Sequence, residues 1–170
     1  MDACALLGYG FGQIRDLVHD AVDGLTVEQL TIRLDRDANT IAWLIWHLTR
    51  VQDDHIAELI PAEQLWGSGD WASQFGLEAD PHNTGYGHTP EEVATVRPQR
   101  PEALLEYLDA VDARTRDFLG GLSADDLDRV VDRRWDPPVT LGVRLVSVAD
   151  DGVQHAGQAA YVRGLLERRR

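Results

Sequence analysis

An all-α fold, a four-helix bundle with one long crossover loop, follows from three features of this chain. Four long segments repeat apolar residues three and four positions apart. Residues 61–88, "PAEQLWGSGDWASQFGLEADPHNTGYGH", carry too many Gly and Pro for a helix and read as a long ordered loop, of the kind that is usually functional. Only "RVVDRRW" at 129–135 has strand character, and one short strand cannot make a sheet. At 170 residues the chain suits one domain with a real core, spanning residues 1–170.

The first helix is expected from about Ala3 to Val22, with Leu6, Leu7, Phe11, Ile14, Leu17 and Val18 on its apolar face. Thr26 with Gln29 forms a capping box for the short turn "TVEQL". A second long helix starts at Asn39 or Thr40, either of which can cap it, and runs to about Leu59 before Pro61. After the loop, Thr89, Pro90 and Glu92 supply a cap, a first-turn proline and a capping-box acid for "PEEVATVR". The third long helix follows Pro101, from Glu102 to about Leu119, and is ended by "GG" at 120–121. Ser123 with Asp126 predicts another helical turn through Leu127; "WDPPV" then breaks the chain, and the fourth helix runs from Thr140 to about Glu167.

The formal net charge of −13 repels nucleic acid and anionic membranes, and the only basic cluster is Arg168, Arg169 and Arg170. All sixteen basic residues are Arg, which points to a GC-rich genome rather than to a binding requirement. No segment has the roughly 18 consecutive apolar residues of a membrane span, and "MDACALLGYGFGQIRD" lacks a signal-peptide pattern. The expectation is a soluble cytoplasmic protein. Cys4 has no disulfide partner in the chain, and nothing near it suggests an activated thiolate.

The chemistry-bearing residues lie on the second and fourth long helices. Each helical residue advances about 100°, so Asp151 and His155 fall within about 40° of each other, one turn apart. Val148, Gly152, Ala156 and Ala159 form the adjoining apolar face, which puts this polar pair at the border of the core. Two readings are open for the pair: a helix-surface ion pair, or two ligands sharing one cation, as the two His of a helical zinc motif do. In "NTIAWLIWHLTRVQDDHIAELI", the apolar stripe Ile41, Leu44, Ile45, Leu48, Val51 and Ile56, with Trp43 and Trp46, leaves His47 among bulky hydrophobes. A histidine there needs a partner, whether a carbonyl, a carboxylate or a metal. His47, Asp151 and His155 together would be a ligand set suited to zinc or nickel with positions left open.

These two segments, "NTIAWLIWHLTRVQDDHIAEL" and "VADDGVQHAGQAAYVRGLL", resemble the DinB-like superfamily of four-helix bundles, which includes mycothiol- and bacillithiol-dependent enzymes. The likeness spans nearly the whole chain. Its most specific parts are the histidine of "W-L-x-x-H" and the histidine before "x-G-Q" in the last helix. The resemblance implies a divalent metal, zinc or nickel, held by His47, Asp151 and His155. Many members have histidine at the position of Asp151; an acid there has a precedent in the thiol-dependent maleylpyruvate isomerase branch. It further implies a low-molecular-weight thiol cofactor such as mycothiol, a small electrophilic substrate, S-transferase or isomerase chemistry, and a homodimer.

Around this core the sequence offers supporting candidates, each with a plainer role beside it. Asp54 is read as a further ligand, as an acceptor behind one, or as solvated at the helix end, whereas Asp53 and His55 are read as solvated there. Gln158 orients a ligand or ties two helices together. Arg144 binds a carboxylate of substrate or cofactor, or pairs with one of the many acids; Arg163 makes a structural salt bridge. His88 is a lid residue or an exposed loop histidine, and Trp66, Trp71 and Phe75 cover the pocket or pack the loop. No Ser-His-Asp arrangement, phosphate loop or placed general base is present, so chemistry rests on the metal. The alternative function is a non-catalytic metal- or small-molecule-binding bundle acting as sensor, carrier or dimerisation module.

Overall fold

The computed structural model describes residues 1–168; Arg169 and Arg170 of the basic C-terminal cluster lie outside the described residues. Among the described residues seven α-helices occur in the order α1 (Ala3–Val22), α2 (Val27–Leu30), α3 (Ile41–Leu59), α4 (Trp71–Gln74), α5 (Pro90–Val93), α6 (Glu102–Gly120) and α7 (Leu141–Arg168). α1, α3, α6 and α7 are the long ones. α7 packs along α1 on one side and α3 on the other, and α6 closes the ring between α3 and α1. No helix among the described residues is long and apolar enough to cross a membrane.

Helix starts follow the local capping chemistry. Thr40, not Asn39, caps α3: its hydroxyl accepts from the Trp43 amide at 3.0 Å. The boxes at Thr26/Gln29, Thr89/Glu92 and Ser123/Asp126 all form, the last on a short 3-10 turn, Ala124–Asp128. Asp2 caps α1, accepting from the Ala5 amide at 2.8 Å. The α1 stripe is narrower than its sequence suggests: Phe11, Ile14 and Val18 are buried, whereas Leu6 and Leu17 are exposed. Cys4 is buried in the first turn, and burial with the nearby Asp2 pushes its thiol up, away from reactivity.

One expectation fails. "RVVDRRW" does find a partner: β1 (Val130–Asp132) pairs antiparallel with β2 (Val139–Thr140). The "WDPPV" segment folds the chain back, so the second strand takes Val139 from the expected break and Thr140 from the expected start of the last helix. This ribbon delivers Asp132 to the side of α7, with consequences for Arg144.

α3 is the central helix, buried on every residue from Ile41 to Arg50. Its own Trp46 and, packed around it, Trp66, Tyr107, Phe11 and Phe75 are the largest fully buried aromatic side chains, and each contributes roughly 1.5–3 kcal/mol or more of apolar burial. The crossover after α3 is more ordered than a plain loop, with a 3-10 turn at Leu65–Gly67 as well as α4. Trp66 packs edge-on to Trp46 at 5.9 Å and near Tyr107 at 5.5 Å, so the loop is an integral layer of the core.

Candidate metal centre

α3 and α7 bring His47, Asp151 and His155 together, each offering a ligand atom within 4.8 Å of the others. His47 is buried among Trp43, Trp46 and the crossover loop; Asp151 and His155 are half-buried at the α3–α7 seam. The hydrogen bonds settle which imidazole nitrogens are free. The Thr84 carbonyl lies 2.5 Å from His47 Nδ1 and can only accept, so Nδ1 carries the proton and Nε2 keeps its lone pair. The same holds for His155, whose Nδ1–H donates to the Asp151 backbone carbonyl at 2.8 Å. Such carbonyl contacts orient ligating imidazoles in metal sites.

Burial pushes the His47 ring below its ordinary pKa, and His155 adds to this, while the Thr84 carbonyl and Asp151 oppose it. A neutral imidazole is the form that ligates a metal. Asp151 Oδ2 is buried with no hydrogen-bond partner among the described residues, and Oδ1 stands 3.6 Å from His155 Nδ1. A buried carboxylate oxygen without a partner, in a cluster with two imidazoles that each keep a lone pair, is costly without a cation and satisfied by one. The donor set of two nitrogens and a carboxylate therefore fits a borderline divalent metal.

The wall behind His47 is built from a glycine. Gly85 has φ +89°, and a Cβ there would lie 2.8 Å from Trp46 Cζ3 and 2.9 Å from His47 Nδ1. Trp43 stacks on His47, with ring centroids 4.6 Å apart and planes within 10°. In front, a cavity of about 310 Å³ is lined by His47, Asp151, Asp54, His55, Thr84 and Tyr86, among others.

The remaining sequence candidates separate. Asp54 lines the cavity and accepts from Gln64 Nε2 at 2.7 Å. His88 is neither lid nor exposed: Trp43 Nε1–H donates to its Nδ1 at 3.1 Å and its Nε2–H donates to Asn83 Oδ1 at 2.9 Å, so it braces Trp43. Arg144 is buried and engaged by Glu58 at 2.7 Å and Asp132 at 3.2 Å, which leaves it no free charge for a ligand carboxylate. Gln158 is exposed on a different groove, beside Tyr161 and Leu34, and does not join the triad. Arg163 pairs with Glu167 at 2.9 Å and bonds the Asp20 and Asp23 carbonyls, a structural role.

Two residues expected in solvent are not there. Asp53 is fully buried and accepts from the Leu65 and Trp66 amides and the Tyr107 hydroxyl, at 2.9, 2.8 and 2.7 Å. His55 is half-buried, lines the cavity and is bonded by Arg144 Nη1 at 3.1 Å. Sequence reasoning missed Arg50 altogether. Fully buried, it holds the Asn83 and Pro81 carbonyls, Gln64 and the Tyr107 hydroxyl, and lies 5.0 Å over the Trp66 ring. Its position three residues after His47 was the available signal, because it extends the same face of the helix.

Comparison with known proteins agrees with this architecture. No protein of curated function matches the chain. A crystal structure described as that of "the conserved protein of locus from Enterococcus faecalis" superposes with a TM-score of 0.88 at 33% sequence identity, covering 96% of each chain. The sequence pattern of the DinB superfamily matches residues 11–159. With the helical bundle and these matches in hand, the chain belongs to the DinB superfamily.

Proposed function

We propose that this protein is a divalent-metal-dependent enzyme in which His47, Asp151 and His155 hold zinc or nickel, and which uses a low-molecular-weight thiol, mycothiol first among those to try, in S-transfer to or isomerisation of small electrophiles. The observation that carries the reading is the convergence of His47, Asp151 and His155, each with a ligand atom within 4.8 Å of the others, both imidazoles keeping an Nε2 lone pair and Asp151 Oδ2 unpartnered, beside an accessible cavity. When bound, the cation would supply an electrophilic centre that lowers the pKa of a thiol at its open position.

The chain's own residues prepare that centre. Thr84 and the Asp151 carbonyl hold both rings in the ligating tautomer. Trp43 and Gly85 fix the plane of His47 and keep water from its back face. Val51 and Val148 give the cavity apolar sides against which a substrate's carbon skeleton can lie.

Metal content of untagged protein tests the first half of the proposal. Close to one equivalent per chain is expected; less than about a tenth of an equivalent after attempted reconstitution would sink it. For the second half, conjugation of mycothiol to a chlorobimane should be catalysed by the metal-loaded protein. The His47→Ala variant should lose more than about 100-fold, beyond the cost of disturbing a residue behind a ligand. Undiminished turnover in that variant would rule the mechanism out.

A further inference from the structure

The cavity runs past the triad to a second polar end, and His55 defines it. His55 stands eight residues after His47 on α3, about 12 Å along the axis, while Arg144 precedes Asp151 by seven on α7, about 10 Å. Asp54, His55 and Ser147 line this end of the same cavity that His47 and Asp151 line at the other. A guanidinium can only donate, so Arg144 Nη1 at 3.1 Å fixes a lone pair on His55 Nδ1 and the proton on Nε2. Nε2 is thus the one ring nitrogen not engaged, and it is a donor. Burial and the Arg144 charge both push the ring pKa down, in keeping with a neutral imidazole.

The charges around it decide what that donor can meet. Arg144 is spent on Glu58 and on Asp132, whose carboxyl Arg134 and Arg144 hold well below the usual range. Asp54 presents a carboxylate on the same wall, its Oδ1 taken by Gln64. A ligand carboxylate arriving here would meet a like charge and no available cation. A neutral acceptor would meet a fixed N–H.

We infer that His55 is a specificity-determining residue: its Nε2–H recognises a neutral hydrogen-bond acceptor, an amide carbonyl or a hydroxyl, about two helical turns from the triad on a metal-anchored thiol, and Asp54 beside it rejects a carboxylate. This rests on the metal reading of the triad. It narrows that reading to elongated uncharged ligands and disfavours dicarboxylate substrates.

Cobalt-substituted protein, whose visible spectrum reports thiol coordination, is titrated with an ω-mercaptoalkanamide long enough to span the two turns, the ω-mercaptoalkanoate of equal length, and mercaptoethanol, which is too short to reach. The alkanamide should bind about tenfold more tightly than the alkanoate, the worth of one hydrogen bond gained and one repulsion avoided. His55→Phe should weaken the alkanamide by a similar factor and leave mercaptoethanol unchanged, and His55→Gln, which restores an N–H, should recover part of the loss. An alkanoate that binds as tightly as the alkanamide would overturn the inference. So would a His55→Phe variant that weakens alkanamide and mercaptoethanol alike, or weakens neither. A wild-type protein that takes up no cobalt fails earlier, at the metal reading itself.

Discussion

At the scale of single residues, the space that Gly85 leaves empty decides where the His47 ring can sit. Any Cβ at this position would press on both Trp46 and His47 within 3.0 Å, and φ +89° is a conformation that other residues adopt only under strain. Gly85→Ala is therefore expected to cost about 1–3 kcal/mol in denaturant unfolding. It should also weaken metal binding about 10–100-fold in a chelator-competition titration, because the ring and its Thr84 carbonyl move together. Wild-type metal affinity in that variant would show that the close approach does not control the site. Asp151 and His155 were legible as a pair because their relation is local, set by helical period; His47 stood out by its apolar surroundings, and joining it to them across two helices leaned on the resemblance to the family. Gly85 was not: its role depends on a loop folding back onto a helix some forty residues away in the chain, and a glycine in "TGYG" reads the same whether it is pressed on a ring or free in solvent.

Among the elements, α3 does two jobs with one face. Its first half supplies His47; its next turn supplies Arg50 and Asp53, both fully buried, which seize the crossover at the Leu65 and Trp66 amides and at the Pro81 and Asn83 carbonyls. The loop that closes over the triad is thus tied down at both ends by the helix that carries His47. Asp53→Asn replaces one acceptor oxygen by an N–H donor facing other donors and leaves Arg50 without its buried counter-charge. It should cost about 3–5 kcal/mol in urea unfolding, and limited proteolysis should shift to residues 61–88. Unchanged cleavage there would mean that the aromatic packing of Trp66 holds the loop unaided. The helices themselves were readable from capping boxes and apolar spacing, whereas Asp53 and His55 read as solvated because charged residues near a helix end usually are. What buries them is not local: the crossover covers Asp53, and Arg144, braced by Asp132 of the β1–β2 ribbon, reaches His55. The second strand of that ribbon was invisible for a related reason, since its two residues carry no pattern of their own and pair only because "WDPPV" turns the chain.

Across the whole molecule, a net charge of −13 and the unpartnered Oδ2 of half-buried Asp151 both favour cation uptake, and the two effects can be told apart. Self-repulsion among exposed acids is diffuse, so simple salt should raise the melting temperature by screening it, equally in any variant. A cation held by the triad acts by mass action on the native state alone. At a free concentration a hundredfold above Kd it adds about 2.7 kcal/mol, which for a chain of this size is a rise of about 5–10 °C. His155 is half-buried at the seam, so His155→Ala removes a ligand while sparing the fully buried core of α7 formed by Leu141, Leu145, Ala156 and Ala159. Differential scanning fluorimetry of both proteins, with zinc or nickel and with sodium chloride, should therefore show the salt increment retained and the metal increment lost in the variant. If His155→Ala keeps the whole metal increment, the ions are stabilising the acidic surface and the triad is not their site.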